Sequence, residues 1–130
     1  MKLHWLWWSL GALLLIAVLF FCLTPVGFSD GAVLPIDKLM HAVTFAVLTL
    51  WFGGLLRNQS LRAWVMLLVA LSAYGALIEV LQAQIAYRSA EWNDFVADLV
   101  GIEIGLVMLS AGLYRWPVWV ERYVLRRNRT

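Results

Sequence analysis

The chain has 130 residues, of which 63% are hydrophobic and only 14% charged, and its mean hydropathy is +0.81. A soluble domain of this length needs a charged exterior that so few ionisable residues cannot supply, and disordered chains are far less apolar. The net charge of +2 does not indicate a nucleic-acid partner, because the basic residues flank apolar runs. The composition therefore predicts a membrane protein.

Four apolar stretches are long enough to cross a hydrocarbon core of about 30 Å, which takes about 20 helical residues. They are predicted near residues 5–24, 38–56, 63–83 and 93–114. The tail, residues 115–130, is predicted to form a short interfacial helix. Its apolar face consists of Trp116, Trp119, Val120, Tyr123 and Val124. Because no linker divides residues 1–130, we expect one all-α domain, a polytopic four-transmembrane-helix bundle with a C-terminal interfacial helix.

The distribution of Lys and Arg predicts the orientation of these spans. With four spans, the N-terminus, the second loop and the tail share one side of the membrane. Eight of the ten Lys and Arg are on that side: Lys2, Arg57, Arg62, Arg115, Arg122, Arg126, Arg127 and Arg129. Because basic loop residues resist translocation, both termini are expected in the cytoplasm.

Most of the other ionisable groups are expected at the outer end of the bundle. The candidate site residues are Asp37, Lys38, His41, Glu79, Gln82, Arg88, Asp94 and Asp98. His41, Glu79 and Asp98 each lie about one turn inside a span, and spacings of three and four place neighbouring members on one helical face. Since a charge in lipid costs at least about 2.5 kcal/mol, we expect these groups to face one another in a polar pocket open to the outside.

The charge balance of this pocket leaves three interpretations open. Four carboxylates face Lys38, Arg88 and at most one charge on His41, with Asp30 and Glu91 expected in solvent. Binding an anion therefore requires protonated carboxyls or a cation. In one interpretation a carboxyl–His pair transfers a proton. In another, a divalent cation held by the imidazole and carboxylates binds a phosphate. In the third, the network is structural and joins three helices.

Three further residues of the fourth span have separate expected roles. Gly101 and Gly105 continue the face of Asp94 and Asp98, and this GxxxG spacing predicts close packing within the bundle rather than a homodimer contact. Glu103 lies about 140° around the helix from Asp98 and is not expected in the pocket. We expect it at a helix or subunit contact.

Two motifs carry a resemblance to a known family. They are Asp37-Lys38-x2-His41-x3-Phe45-x2-Leu48 and Glu79-x2-Gln82-x5-Arg88-x5-Asp94-x3-Asp98-x2-Gly101. Together they resemble the VanZ-like family of small bacterial membrane proteins, over about residues 37–105. The family is named for a protein associated with low-level resistance to teicoplanin, so the resemblance implies a role in the cell envelope and in antibiotic resistance. The family often has Asn at the position of Asp98.

These observations predict a VanZ-like protein whose outer pocket binds a lipid headgroup or a lipid-linked phosphate, including a cell-wall precursor. Lys38 and Arg88 would hold the anionic group, His41 with Glu79 would handle a proton or cation, and Gln82 would orient the site. Asp37, Asp94 and Asp98 would complete it, with a divalent cation as candidate cofactor. The alternative is a non-catalytic binding or sensor subunit whose polar network is structural. Membrane lipids are the expected partners, and the sequence leaves open whether the chain forms a homo-oligomer.

Overall fold

The computed structural model describes residues 3–24, 36–85 and 91–127, and every regular element in these ranges is helical. The helices are α1 (His4–Leu23), α2 (Ile36–Leu55), α3 (Leu61–Gln82), α4 (Trp92–Ser110) and α5 (Trp116–Arg127). A 3-10 turn, Leu113–Arg115, precedes α5. The all-α prediction is confirmed over the described ranges. The first three helices begin and end within two residues of their predicted bounds.

Three of the helices, α1, α2 and α3, are long and apolar enough to cross a membrane. The helix α4 has 19 residues and carries three carboxylates, on Asp94, Asp98 and Glu103. It qualifies as a fourth span only together with the segment that follows it, from which it is separated by a bend of 81°. The described helices therefore allow three or four membrane crossings.

The fourth helix ends four residues before the predicted boundary because of Gly112. This glycine has a φ of 103°, a left-handed conformation that costs glycine little and other residues more. Its N–H donates to the carbonyl of Leu109 at 2.9 Å, which closes the last turn. The chain then turns sharply into α5 instead of continuing along α4 to residue 114.

The helix α2 packs most extensively against α4. A Cβ atom at Gly101 would collide with the carbonyl group of Ala42, and one at Gly105 would collide with the side chain of Thr49. Both glycines therefore permit close approach of the two backbones, which confirms the predicted packing of the GxxxG face within the bundle. The fully buried core side chains are Leu48, Leu55, Ile78, Ile102 and Leu109.

The helix α5 packs against the start of α1. Glu121 is only 6% exposed. Its Oε1 accepts hydrogen bonds from the Leu3 N–H at 3.2 Å and from Trp7 Nε1 at 3.0 Å. Four members of the predicted apolar face are exposed, namely Trp119, Val120, Tyr123 and Val124. The fifth, Trp116, was wrongly placed on that face, because its Nε1 donates to the Leu50 carbonyl of α2 at 3.0 Å.

Candidate functional site

The start of α2, the end of α3 and the start of α4 meet at one end of the bundle and bring five candidate residues together. Ligand atoms of Asp37, His41 and Asp94 lie within 4.8 Å of one another, as do those of His41, Glu79 and Asp98. We call these five residues the His41 cluster, because His41 belongs to both triads. The convergence that the helical spacing predicts is therefore present.

His41 and Asp98 form the buried centre of the cluster. His41 Nδ1 lies 2.8 Å from Asp98 Oδ1, and Asp98 is fully buried. Because a carboxylate accepts, this geometry favours the ring tautomer that carries its proton on Nδ1. The other oxygen, Asp98 Oδ2, has no hydrogen-bond partner among the described residues.

Asp94 lies on the other side of the imidazole ring. Its Oδ2 is 4.0 Å from His41 Nε2, and its Oδ1 is 3.5 Å from Lys38 Nζ. Lys38 also makes a shorter ion pair, at 2.9 Å, with Glu91. The Lys38 ammonium is therefore already paired with two carboxylates, which weakens its predicted role as a holder of an anionic group.

Glu79 and Glu91 meet at the edge of the cluster. Glu79 Oε2 accepts a hydrogen bond from the backbone N–H of Glu91 at 3.1 Å. Glu91 is exposed to solvent as expected, but it also pairs with Lys38 and so lies at the edge of the cluster. A signal was present in the sequence, since Glu91 stands three residues before Asp94 and thus close to the same helical face.

Gln82 does not orient the site. It is 2% exposed, and its Nε2 donates to the Cys22 carbonyl at the end of α1, at 2.9 Å. Gln82 follows Glu79 by three residues, so the two side chains differ in direction by about 60° around the helix axis. This difference is enough to direct Gln82 toward α1 instead of toward the cluster. Arg88 and Asp30 lie outside the described residues.

A small hollow lies beside the cluster, between α3 and α4. Its volume is about 280 Å³, and it is lined by Ala76, Glu79, Val80, Glu91, Trp92 and Phe95. Glu79 is the member of the cluster that reaches it, whereas His41, Asp94 and Asp98 are buried. The structure does not contain the open polar pocket that was expected. It contains a packed polar cluster beside a largely apolar hollow, because α2 and α4 approach too closely to leave an opening between them.

The cluster carries an excess of negative groups. Three buried carboxylate oxygens have no hydrogen-bond partner among the described residues: Glu79 Oε1, Asp94 Oδ1 and Asp98 Oδ2. Each of the three carboxyl groups has a partner, in His41, Lys38 or the Glu91 N–H, but a buried carboxylate oxygen that lacks a hydrogen bond is still costly. A proton or a cation at these oxygens would offset that cost. The imidazole and carboxylate donor set suits a divalent transition ion.

The hydrogen bond at Nδ1 leaves His41 Nε2 as the nitrogen available to such an ion. The 4.0 Å between Nε2 and Asp94 Oδ2 is somewhat longer than the roughly 3.4 Å between two donors on a tetrahedral ion, so a small side-chain movement would bring both atoms onto one ion. Asp98 would then be the outer carboxylate that fixes the orientation of the imidazole. The triad of Asp37, His41 and Asp94 therefore fits a cation better than the triad that contains Asp98.

Gly75 of α3 provides the space that Asp98 occupies. A Cβ atom there would lie 2.8 Å from Asp98 Oδ2 and 3.3 Å from the Phe45 ring. Gly75→Ala should lower the free energy of unfolding by about 1 to 3 kcal/mol, although Ala is normally the better helix former. Thermal unfolding of the purified protein in detergent measures this, with Ser72→Ala as control. An unfolding temperature equal to or above that of the wild type would contradict the assigned contact.

Comparison of the chain with protein-family models, with curated proteins and with solved structures found no match. What the site can do chemically is therefore inferred from its described side chains.

Proposed function

We propose that this chain is a VanZ-like multi-pass protein of the bacterial inner membrane that binds a phosphate group of an envelope lipid through a divalent cation. The cation would be held by Asp37, His41 and Asp94 at the outer end of the bundle. The phosphate, from a lipid headgroup or a lipid-linked cell-wall precursor, would complete its coordination. The observation that carries this proposal is the triad itself, whose ligand atoms lie within 4.8 Å of one another in a cluster where three buried carboxylate oxygens lack a hydrogen bond.

The surface of the helices supports a location in the membrane. Large apolar side chains point outward along α1, where Leu13 is 61%, Ile16 is 63% and Phe20 is 61% exposed. An exposed apolar surface of this extent is typical of contact with lipid. We place both termini in the cytoplasm because eight of the ten Lys and Arg are on that side of a four-span topology.

The hollow beside the cluster would accommodate part of the lipid. Its apolar lining by Val80, Trp92 and Phe95 suits a hydrocarbon chain, while Glu79 connects it to the buried carboxylates. Direct capture of an anion is disfavoured, since Lys38 is already paired and the cluster is acidic. A bound cation reverses the sign of the local charge. Binding a cell-wall precursor in this way would be a route to teicoplanin-type resistance.

A structural network in a non-catalytic binding or sensor subunit is the second candidate. It is favoured by the complete burial of Asp98 and by its 2.8 Å contact with His41, which ties α4 to α2. In that case Asp94→Asn, which keeps the size of the side chain, would lower stability without a separate loss of ligand response.

Thermal unfolding with a lipid phosphate tests the proposed function. The protein is stripped with EDTA and heated with dioctanoyl phosphatidic acid, with and without Mn²⁺. We expect Mn²⁺ to raise the lipid-induced shift of the unfolding temperature by about 5 °C or more. This Mn²⁺-dependent increment should vanish in Asp94→Asn and persist in Glu103→Gln, the matched change at an exposed carboxyl of the same helix. An equal increment in Asp94→Asn, or no increment in the wild type, would contradict the proposal.

A further inference from the structure

A second hollow, larger than the one beside the His41 cluster, lies at the opposite end of the bundle. It encloses about 670 Å³ between the start of α1, the turn that joins α2 to α3, and the corner that leads into α5. The polar side chains that line it are His4, Arg57, Gln59, Tyr114 and Arg115. No carboxylate is among its lining residues in the described part of the chain. We call it the arginine hollow.

The turn that carries Arg57 is held by Gln59. The amide nitrogen of Gln59 donates to the carbonyls of Gly53 at 2.9 Å and Leu56 at 3.0 Å. Its oxygen accepts a hydrogen bond from Trp64 Nε1 at 2.9 Å. Because every hydrogen-bonding atom of this amide is engaged, the wall of the hollow formed by this turn is fixed.

The wall that carries Tyr114 and Arg115 is held by Trp116. Its indole nitrogen donates to Leu50 of α2, and its ring lies 5.2 Å from the Trp7 ring of α1, edge to face. Gly54 leaves the space for this indole, which a Cβ atom would fill. The two arginines are therefore carried by two packed elements that face one cavity.

Apart from Gln59, the side-chain donors in the arginine hollow have no acceptor within the part of the chain that the structure describes. Among the described residues, neither Arg57 nor Arg115 has a hydrogen bond or an ion pair through its side chain, and the hydroxyl of Tyr114 has no partner. His4 Nε2 accepts from Trp8 Nε1 at 3.1 Å, so the proton of the neutral ring is on Nδ1. Two guanidinium groups, a hydroxyl and an imidazole N–H thus remain for a ligand.

We propose that the arginine hollow binds a phosphate group, supplied by a membrane-lipid headgroup or by free phosphate. Guanidinium groups pair with phosphate oxygens in bidentate geometry, and hydroxyl and imidazole donors add to this. The volume of about 670 Å³ is within the range of small-ligand sites and holds a headgroup easily. Leu56 and Val118 complete the lining, which suits the glycerol and first methylenes of a lipid.

Binding is measured in EDTA, so that it is independent of any cation at the His41 cluster. The probes are dioctanoyl phosphatidylglycerol, inorganic phosphate and dioctanoyl glycerol, which lacks a phosphate. We expect a phosphate-bearing probe to raise the unfolding temperature and dioctanoyl glycerol to leave it unchanged. Arg57→Gln and Arg115→Gln should each weaken the apparent affinity about tenfold or more.

The control is Arg62→Gln, which changes an exposed arginine that does not line the hollow. This variant and Asp94→Asn should bind as the wild type does, which separates the hollow from the proposed outer site. A response to phosphatidylglycerol alone identifies a lipid headgroup, and a response to inorganic phosphate identifies the free ion. No response to either, or an undiminished response in the folded double variant Arg57→Gln/Arg115→Gln, would overturn the proposal. Because both arginines are exposed, their loss should leave folding intact.

Discussion

His41→Leu is expected to lower the free energy of unfolding by about 3 to 5 kcal/mol. The imidazole lies 2.8 Å from Asp98, which is fully buried, and it is the only group shared by the two triads of the cluster. Its removal leaves Asp98 buried without a partner while Leu retains most of the volume. The loss should appear as a fall in the unfolding temperature of the purified protein of about 10 °C or more.

Two comparisons identify the cause of this loss. His4→Leu is the same chemical change at a histidine outside the cluster, and it should cost only about 1 kcal/mol, the value of one hydrogen bond. The double variant His41→Leu/Asp98→Leu should recover a large part of the stability, because removing both partners leaves no unpaired charge. A double variant less stable than His41→Leu would mean that the pair contributes through packing alone.

Gly101→Val is expected to cost about 3 kcal/mol, at the upper end of what overpacking costs. The added side chain would meet the backbone carbonyl of Ala42, which cannot rotate away as a side chain can. The helices α2 and α4 would have to separate, and the His41 cluster spans them. We therefore expect less folded protein and, with it, weaker binding of any ligand at the cluster.

Size-exclusion chromatography after heating measures the folded fraction of this variant. Gly101→Ala should show a smaller loss in the same direction, since a single methyl group meets the same oxygen. Ala73→Val, which adds a branched side chain at an exposed position of α3, should behave as the wild type. Wild-type stability of Gly101→Val would be incompatible with the close α2–α4 contact.

Three long apolar helices and the convergence of the charged groups could be predicted from the sequence, because burial of apolar and of charged side chains involves large free energies. The thickness of the membrane sets the length of an apolar helix that crosses it, which is about 20 residues. Charges one turn inside such runs are too costly to face lipid, so His41, Glu79 and Asp98 had to meet. Their helical spacing then fixed which faces pack together.

The details that sequence reasoning missed depend on small angles and on contacts between distant segments. A rotation of about 60° sends Gln82 toward Cys22 rather than toward the cluster. Glu121 was not expected to be buried, since its partners Leu3 and Trp7 are more than 100 residues away in the chain. The arginine hollow likewise depends on the 81° bend after α4. This bend could not be predicted, because the apolar pattern continues without a break to residue 114.

The most direct measurement of the central claim is metal content after equilibrium dialysis. The purified protein is stripped with EDTA, dialysed against Mn²⁺ or Zn²⁺ and analysed for bound metal per chain. We predict about one ion per chain for the wild type and for Glu103→Gln, as binding at the triad of Asp37, His41 and Asp94 requires, and none for Asp94→Asn. A wild-type protein that retains no more of either metal than Asp94→Asn would contradict the account.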